Sequence, residues 1–166
     1  MKRRKRPIVA VVMGSDSDLA VMDEAAAVLE KFNIPYQLEV ISAHRTPDRC
    51  RRFARSAARR GIKVIIAGAG KAAHLAGVLA SQTTLPVIGV PLDAGLRGLD
   101  ALLSTVQMPA GVPVACMAVG RSGAVNAALL AVAILALKDQ KLAQRLTEYR
   151  KGMAREVMRR SGAVRR

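Results

Sequence analysis

The sequence predicts an α/β protein built on a doubly wound, all-parallel sheet. The chain of 166 residues is 51% hydrophobic, which is enough for the core of one domain. That core must be aliphatic, because the chain has two Phe, two Tyr and no Trp. Short apolar runs alternate along the chain with longer amphipathic segments, and this alternation is typical of βαβ units.

Five apolar runs are the predicted strands: Ile8–Met13, Tyr36–Ile41, Val64–Ala67, Pro86–Val90 and Val114–Val119. The predicted helices are Ser17–Phe32, Pro47 to about Arg60, about Ala72–Ser81, Gly98–Thr105, Ser122–Leu137 and Lys138–Arg160. Thr46 is the expected cap of the second helix, with Pro47 at its first position and Asp48 in its first turn. Five strands in this rhythm predict a three-layer, flavodoxin-like sandwich with strand order 2-1-3-4-5 and an extra C-terminal helix.

The helix at Ser122–Leu137 is apolar almost all round. A helix without a polar face is buried on every side, and in a chain this short that predicts burial against another subunit. We therefore expect a homo-oligomer. We also expect residues 7–160 to form a single catalytic domain between a basic tail at residues 1–6 and a second tail at 161–166.

The formal net charge of +15 first suggests a nucleic-acid partner. The excess lies largely in the tails, because residues 2–6 hold five basic groups and residues 151–166 hold six against Glu156 alone. Aromatic residues for stacking on bases are nearly absent. The pattern therefore favours solvated tails over a nucleic-acid interface.

The two cysteines, Cys50 and Cys116, are far apart and lack metal-ligand spacing, so we expect reduced thiols and no metal site. No apolar run reaches the roughly 18 residues of a membrane span, and the basic start of the chain lacks the pattern of a signal peptide. A cytoplasmic protein with no membrane association is the resulting expectation.

Ligands of doubly wound sheets bind beyond the carboxyl ends of the strands. This rule selects the loops that start at Gly14, Ser42, Gly68, Pro91 and Gly120.

The first of these loops, Gly14-Ser15-Asp16-Ser17-Asp18, places small hydroxyl residues at a helix start. Backbone N–H groups and hydroxyls there can bind an anion, and the carboxylate of Asp18 suits ribose hydroxyls. A plain turn, in which glycine bends the chain and serine caps the helix, explains the same residues.

The second loop, Ser42-Ala43-His44-Arg45-Thr46-Pro47, combines a hydroxyl, an imidazole and a guanidinium at a strand end. Histidine can carry a proton near neutral pH, and arginine can grip a phosphate. The pattern predicts a phosphorylated substrate that needs one proton moved, although a lone loop histidine is commonly just solvated.

The third loop, Gly68-Ala69-Gly70-Lys71-Ala72-Ala73-His74, matches the glycine pattern of a dinucleotide site. It follows the third strand instead of the first, however, and it lacks the Gly-Lys-Ser/Thr of a P-loop. A nicotinamide or flavin cofactor is therefore disfavoured.

Seven motifs occur in order along the chain: Val12-Met13-Gly14-Ser15-Asp16-Ser17-Asp18, Ser42-Ala43-His44-Arg45-Thr46-Pro47, Ile65-Ile66-Ala67-Gly68-Ala69-Gly70, Ala72-Ala73-His74-Leu75, Gly89-Val90-Pro91, Val106-Gln107-Met108-Pro109 and Asn126-Ala127-Ala128-Leu129-Leu130-Ala131. Each motif is weak alone, but the ordered set is specific. It resembles the PurE family of purine biosynthesis, the N5-carboxyaminoimidazole ribonucleotide mutases, and within it the bacterial mutase class. The resemblance covers about residues 7–155.

This resemblance implies an isomerisation that needs no cofactor. The family is thought to release carbon dioxide from the exocyclic amine, hold it beside aminoimidazole ribonucleotide and let the ring carbon attack it. His44 would protonate the departing nitrogen and later remove the ring proton. Ser15, Ser17, Ser42 and Arg45 would hold the phosphate, Asp18 the ribose, and the third loop would close over carbon dioxide.

The implied substrate-binding residues are Gly14, Ser15, Ser17, Asp18, Ser42, Ala43, Arg45, Gly70, Lys71, His74 and Leu75. For His74, a structural role or one towards a neighbouring subunit is an open alternative. The family is usually octameric, in keeping with the apolar helix.

Two residues depart from the family pattern, which has Gly at Lys71 and Pro at Ala76. If φ is positive at position 71, a lysine there costs roughly 1 kcal/mol or more. We expect the Lys71 side chain to point to solvent. The loop Asp93–Arg97 also looks about one residue shorter than the family pattern.

Two other hypotheses for the function stay open at this point. One is a carboxylase that acts directly on aminoimidazole ribonucleotide or a related ribonucleotide. The other is a nucleotide-binding or nucleic-acid-binding module that uses the basic tails.

Overall fold

The computed structural model describes residues 6–164, and its elements alternate as β and α from the start. The five strands are β1 (Val9–Met13), β2 (Tyr36–Val40), β3 (Val64–Gly70), β4 (Val87–Leu92) and β5 (Ala115–Cys116). The six helices are α1 (Leu19–Lys31), α2 (Pro47–Ala57), α3 (Leu75–Ala80), α4 (Leu99–Val106), α5 (Arg121–Ala136) and α6 (Gln140–Val164). Single 3-10 turns precede α1 and α4 and follow α2, at Asp16–Asp18, Leu96–Gly98 and Ala58–Arg60.

The strands form one parallel sheet in the order β2-β1-β3-β4-β5, with helices on both sides. The predicted flavodoxin-like fold is confirmed. Strand β1 lies inside the sheet, where Met13 pairs with Val40 on one side and Gly68 on the other. Every residue of β1 is fully buried, in agreement with its continuous apolar run.

One aliphatic cluster packs α2 and α3 against the central strands, and Cys50 and Phe53 are part of it. The predicted aliphatic core is thus confirmed, and α2 shows how the pattern builds it. Its buried positions Cys50, Phe53, Ala54 and Ala57 lie three or four residues apart, as the core face of a helix requires. Gly61, with φ +97°, ends the 3-10 turn that follows α2.

The prediction of a glycine-rich turn directly after Ala67 is wrong. Strand β3 continues to Gly70, because Gly68, Ala69 and Gly70 pair with the last residues of β4. A Cβ at Gly68 would lie 2.3 Å from the Met22 sulfur of α1, so helix packing accounts for that glycine. The glycines of the dinucleotide-like pattern therefore belong to a strand, where they cannot form the phosphate turn. Pro91 likewise lies within β4, so the fourth loop starts at Asp93.

The fifth strand is shorter than predicted, with only Ala115 and Cys116 in the ladder. The chain still follows β4 beyond this point. Met117 N–H donates to the Gly89 carbonyl and Gly120 N–H donates to the Pro91 carbonyl, both at 2.9 Å. These donors are three residues apart, whereas the residues of a regular strand that face the same neighbour are two apart. The segment from Met117 to Gly120 therefore has one residue more than the part of β4 that it follows, and this extra residue interrupts the regular pairing.

Contacts divide the chain into two compact units, Met1–Ala131 and Val132–Arg166. In the first unit, α5 buries one side completely through Ala124, Ala127, Ala128 and Ala131. Leu129 and Leu130 on the other side are only partly buried. The apolar composition of α5 predicts burial on every side. Within the first unit, only one side of this helix is completely buried.

The second unit consists of the end of α5 and the long helix α6, whose start is fixed by an N–H of Leu142 donating to Asp139. The predicted basic tail at residues 1–6 lies outside the described residues except for Arg6, and so does the end of the tail at 161–166. Within the described residues, no helix combines the length and apolar character needed to cross a membrane.

Candidate active site

The loops after β1, β2 and β3 surround one open cavity of about 540 Å³. All twelve residues that the sequence and the family resemblance pointed to lie in its wall: Gly14, Ser15, Ser17, Asp18, Ser42, Ala43, His44, Arg45, Gly70, Lys71, His74 and Leu75. The wall also contains Ala69, Ala72, Ala73 and Ala94, which were not predicted. Ala94 lies in the loop after β4, so the strand-end rule selects its loop although nothing in an alanine marks the residue itself.

The first loop is held by bonds within itself. The Ser15 N–H donates to a carboxylate oxygen of Asp18 at 3.1 Å, and the Ser17 N–H donates to the Ser15 hydroxyl at 3.4 Å. This reciprocal pattern is a capping box around the 3-10 turn that leads into α1. Both predicted interpretations of the loop hold for its geometry: it is a capped turn, and its two serine hydroxyls line the cavity.

The carboxyl group of Asp18 is partly buried in this wall, and burial raises its pKa above the ordinary value. The N–H of Ser15 and the hydroxyl of Ser17 oppose that rise because they hydrogen-bond the ionised form. The net direction shows that burial outweighs these bonds. Burial in this wall therefore destabilises the ionised form of Asp18.

The second loop forms a tight turn that starts at Ser42. Thr46 donates to the Ser42 carbonyl through both its N–H, at 3.0 Å, and its hydroxyl, at 2.8 Å. The predicted cap of α2 is therefore half right: Thr46 occupies the cap position and Pro47 the first turn, but the hydroxyl makes no capping bond. The hydroxyl bonds back to the Ser42 carbonyl instead, and this bond closes the turn that contains His44.

Arg45 bridges the first and second loops. Its N–H donates to the Ser42 hydroxyl at 3.1 Å, and its guanidinium donates to the Gly14 carbonyl at 3.3 Å. Among the described residues, Arg45 forms no ion pair with a carboxylate. Its charge is thus held at the junction of two loops and is available to an anion in the cavity.

His44 and His74, the two histidines of the chain, contact each other across the cavity wall. Nε2 of His44 lies 2.7 Å from Nδ1 of His74, and the ring centroids are 4.8 Å apart in an edge-to-face arrangement. One ring must donate and the other accept, so the two tautomers are tied to each other. One N–H therefore lies between Nε2 of His44 and Nδ1 of His74, and His44 is not the isolated loop histidine of the alternative interpretation.

The third loop turns sharply after β3. The Ala73 N–H donates to the Gly70 carbonyl at 3.0 Å, and φ is +55° at Lys71 and +41° at Ala73. The positive φ considered for position 71 is confirmed, and Lys71 is an exposed residue of the cavity wall. A Cβ at Gly70 would lie 2.6 Å from Cβ of Ala94, so the fourth loop packs directly behind this turn.

The fourth loop is strained directly before α4. Leu96 and Arg97 have φ values of +47° and +54°, and Gly98 follows with +77°. Three consecutive positive φ values are unusual, and two of them fall on residues with side chains.

No group of three or more potential metal ligands occurs among residues 6–164. Cys50 is buried in the core and Cys116 is partly buried, both as free thiols. Burial raises the pKa of each thiol, which keeps both protonated and poorly reactive at neutral pH.

Comparison with known proteins agrees with this arrangement. A family model described as AIR carboxylase matches residues 8–156. The chain belongs to the AIR carboxylase family. The family resemblance seen in the ordered motifs is thereby confirmed.

Relatives of known name cover most of the chain. A protein of Pyrococcus horikoshii is 55% identical over 156 residues, which is 93% of this chain and 87% of the relative. One of Escherichia coli K12 is 54% identical over 160 residues, 95% of each chain. Both are named N5-carboxyaminoimidazole ribonucleotide mutase. The crystal structure of Treponema denticola PurE matches with a TM-score of 0.87 at 28% identity, covering 97% of this chain and all of that one.

Three of the seven ordered family motifs contribute no residue to the cavity wall. Gly89-Val90-Pro91 lies within β4. Met108 follows α4, and its sulfur lies 3.0 Å from the position of a Cβ on Gly77 in α3. Asn126 is exposed on α5. These motifs in the AIR carboxylase family therefore serve packing or surface contacts within the described chain, while the first four motifs supply the loops around the cavity.

Asp18→Asn separates the cost of burying this carboxyl from its hydrogen bonds, since the amide oxygen can still accept from Ser15. The unfolded wild-type chain loses the Asp18 proton near pH 3.8, before the folded chain does. Wild-type stability therefore falls as pH rises from that value through the raised folded pKa. We expect the difference between the free energies of unfolding of Asp18→Asn and wild type to shift in favour of the variant as pH rises through this window. Urea titrations at several pH values measure it. A difference that stays constant or shrinks with rising pH contradicts the raised pKa.

Proposed function

We propose that this AIR carboxylase family member is an N5-carboxyaminoimidazole ribonucleotide mutase of purine biosynthesis. It converts the N-carboxylated ribonucleotide to 4-carboxy-5-aminoimidazole ribonucleotide. The observation that carries the proposal is the hydrogen-bonded His44–His74 pair beside two loops suited to a phosphate. Relatives 52–59% identical carry the mutase name, which supports the same reaction.

The phosphate and ribose are assigned to the first two loops. Arg45 offers a positive charge without a carboxylate partner among the described residues. The Ser42 hydroxyl contacts it, and Ser15 and Ser17 lie in the same cavity wall. Charged and hydroxyl donors of this kind are what phosphate binding requires. Asp18 supplies the carboxylate of the described cavity wall, and its free lone pairs suit the ribose hydroxyls.

His44 is the proposed proton carrier. When the N–CO₂⁻ bond breaks, carbon dioxide leaves and the nitrogen takes a proton from the imidazolium of His44. The ring carbon then attacks carbon dioxide, and the proton on that carbon returns to His44. The proton is regained at the end, and no atom changes hands with a cofactor. One histidine is therefore sufficient, and the bond to His74 keeps its ring oriented.

The third loop is the proposed cover for carbon dioxide. Gly70, Lys71, His74 and Leu75 form this side of the wall together with Ala43 of the second loop. Leu75 is buried and Ala43 is partly buried, so an apolar surface lies next to the two imidazoles. Carbon dioxide has no net charge or dipole, and an apolar recess that excludes water suits it.

The first test supplies the N-carboxylated ribonucleotide and, separately, aminoimidazole ribonucleotide with bicarbonate. The proposal expects rapid conversion of the first and slow conversion of the second. A carboxylase would show the reverse order, and a folded chain with neither activity would contradict an enzymatic role in this reaction.

His44→Asn tests the proton carrier. We expect turnover to fall at least about a hundredfold, the low end for loss of a proton-transfer group, while the variant keeps its melting temperature and its affinity for the product. Arg52→Gln, on the exposed side of α2, serves as the matched control and should leave turnover unchanged. Near-normal turnover in His44→Asn would remove this residue from the mechanism.

We also propose that the catalytic domain spans residues 7–160 and assembles as a cytoplasmic homo-octamer. The family match over residues 8–156 supports the domain limits, and two free thiols suit a reducing compartment. Exposed apolar side chains support assembly: Leu99, Leu103 and Val106 are 50–56% exposed on one face of α4. Leu129 and Leu130 of α5 are also incompletely covered.

Sedimentation velocity tests the assembly. At micromolar concentration, we expect wild type to sediment at eight times the chain mass. Leu103→Arg should shift the distribution to smaller species, because a charge on the α4 face would be desolvated in an interface. A wild-type monomer at that concentration contradicts the proposal.

A further inference from the structure

Lys71 occupies a backbone position that favours glycine. It is the first central residue of the turn closed by the Ala73 N–H and the Gly70 carbonyl. Its φ is +55°, whereas Ala72 has an ordinary negative φ. Positive φ at the first central residue alone is the φ pattern of a type II′ turn, in which glycine is preferred there. A lysine is therefore held in this turn against a conformational cost.

Strained backbone of this kind persists where the surrounding structure fixes it, and it concentrates at ligand sites. The turn is fixed here, because Gly70 packs tightly against Ala94 of the fourth loop. Lys71 also lines the cavity and lies three residues before His74, which bonds to His44. The strained lysine therefore belongs to the same loop of the cavity wall as His74.

Lys71 and Arg45 both carry a positive charge in the cavity wall, but they belong to different loops. Arg45, the other cation of the wall, is tied to the first and second loops through Gly14 and Ser42. Among the described residues, Lys71 forms no ion pair. Asp18, the carboxylate in the wall, belongs to the first loop and accepts the Ser15 N–H. The described cavity wall therefore contains one cation without an ion pair in its second loop and one in its third.

The ligand of the proposed reaction carries two anionic groups, a phosphate and a carboxylate. The carboxylate is the group that must lie beside the proton carrier, and Lys71 shares a loop with the partner of that histidine. The phosphate is matched by Arg45 and the serine hydroxyls of the first two loops. Two cations on separate loops of one cavity fit the two anionic groups of one ligand.

We propose that Lys71 is a carboxylate-binding residue, whose ammonium pairs with the carboxylate of the ribonucleotide next to His44 and His74. The assignment rests on the proposed mutase function. It makes Lys71 a specificity-determining residue, because it favours carboxylated ribonucleotides over aminoimidazole ribonucleotide. The pairing exists with both the N-carboxylated substrate and the C-carboxylated product. Its loss therefore raises KM with little effect on kcat.

Calorimetric affinities for two ligands test this assignment. The ligands are the C-carboxylated product and aminoimidazole ribonucleotide, which has the same phosphate and no carboxylate. Lys71→Met should weaken binding of the product about tenfold and change binding of aminoimidazole ribonucleotide by less than about twofold. Lys71→Arg should keep most of the product affinity, since it keeps the charge. In turnover assays, Lys71→Met should raise KM by a similar factor and change kcat less than about threefold.

Two further variants complete the design. Lys63→Met removes an exposed lysine just before β3, at the opposite end of the strand, and should change neither affinity. Lys71→Gly removes both the charge and the backbone strain. We expect it to match Lys71→Met in affinity while it melts at a higher temperature than Lys71→Met.

Equal weakening of both ligands by Lys71→Met would assign Lys71 to the phosphate and overturn the proposal. Unchanged affinities would leave the side chain in solvent and overturn it as well. In either case wild-type turnover stays intact, so the mutase function stands. A wild-type chain that neither binds nor converts the ribonucleotides overturns both proposals together.

Discussion

Strand β1 pairs with β2 on one side and with β3 on the other, and its last residue, Met13, is level with Val40 and Gly68. This parallel register is the constraint on which the cavity depends. Three strands reach the same edge of the sheet, so the loops that follow them meet. Because β1 is packed on both faces, a slip by one residue would exchange the side chains of its two faces and disturb the packing of both. The hydrogen bonds of Arg45 and the contact of His44 with His74 then join these loops.

The chemistry of the cavity depends on groups that these contacts orient without neutralising their charge. Arg45 is held by a carbonyl and a hydroxyl, which position its guanidinium without neutralising it. The two histidines hydrogen-bond each other, so each ring orients the other. Lys71 is presented by a turn that strains its backbone. Each group is oriented by a neighbour of no opposing charge, and such a site is ready for an anionic ligand that undergoes proton transfer.

Much of the fold was predictable from the sequence, because apolar runs and amphipathic segments carry the strand and helix periods directly. Strand ends were less predictable. The glycines at 68 and 70 read as a turn, but pairing with β4 keeps them in the sheet. The short ladder of β5 depends on bonds to Gly89 and Pro91 that no local pattern reveals. Thr46 was expected to cap α2, and its hydroxyl bonds Ser42 instead.

The sequence could predict which residues form the site and which loops contain them, since the strand-end rule and the family resemblance pointed to the three loops. Their mutual contacts were not. His44 and His74 are thirty residues apart in the chain and meet only because β2 and β3 flank β1. The sign of φ at Lys71 could be stated only as a condition, because it depends on the turn geometry. Ala94 is part of the wall because its loop packs against Gly70, and an alanine carries no sequence signal of such a contact.

A crystal structure of the chain with 4-carboxy-5-aminoimidazole ribonucleotide would show whether all three loops surround one ligand. We expect the phosphate to contact Arg45 and the hydroxyls of the first two loops. The imidazole ring should lie within hydrogen-bond reach of His44. A ligand bound elsewhere, or one in this cavity with its ring remote from His44, would contradict the proposed site.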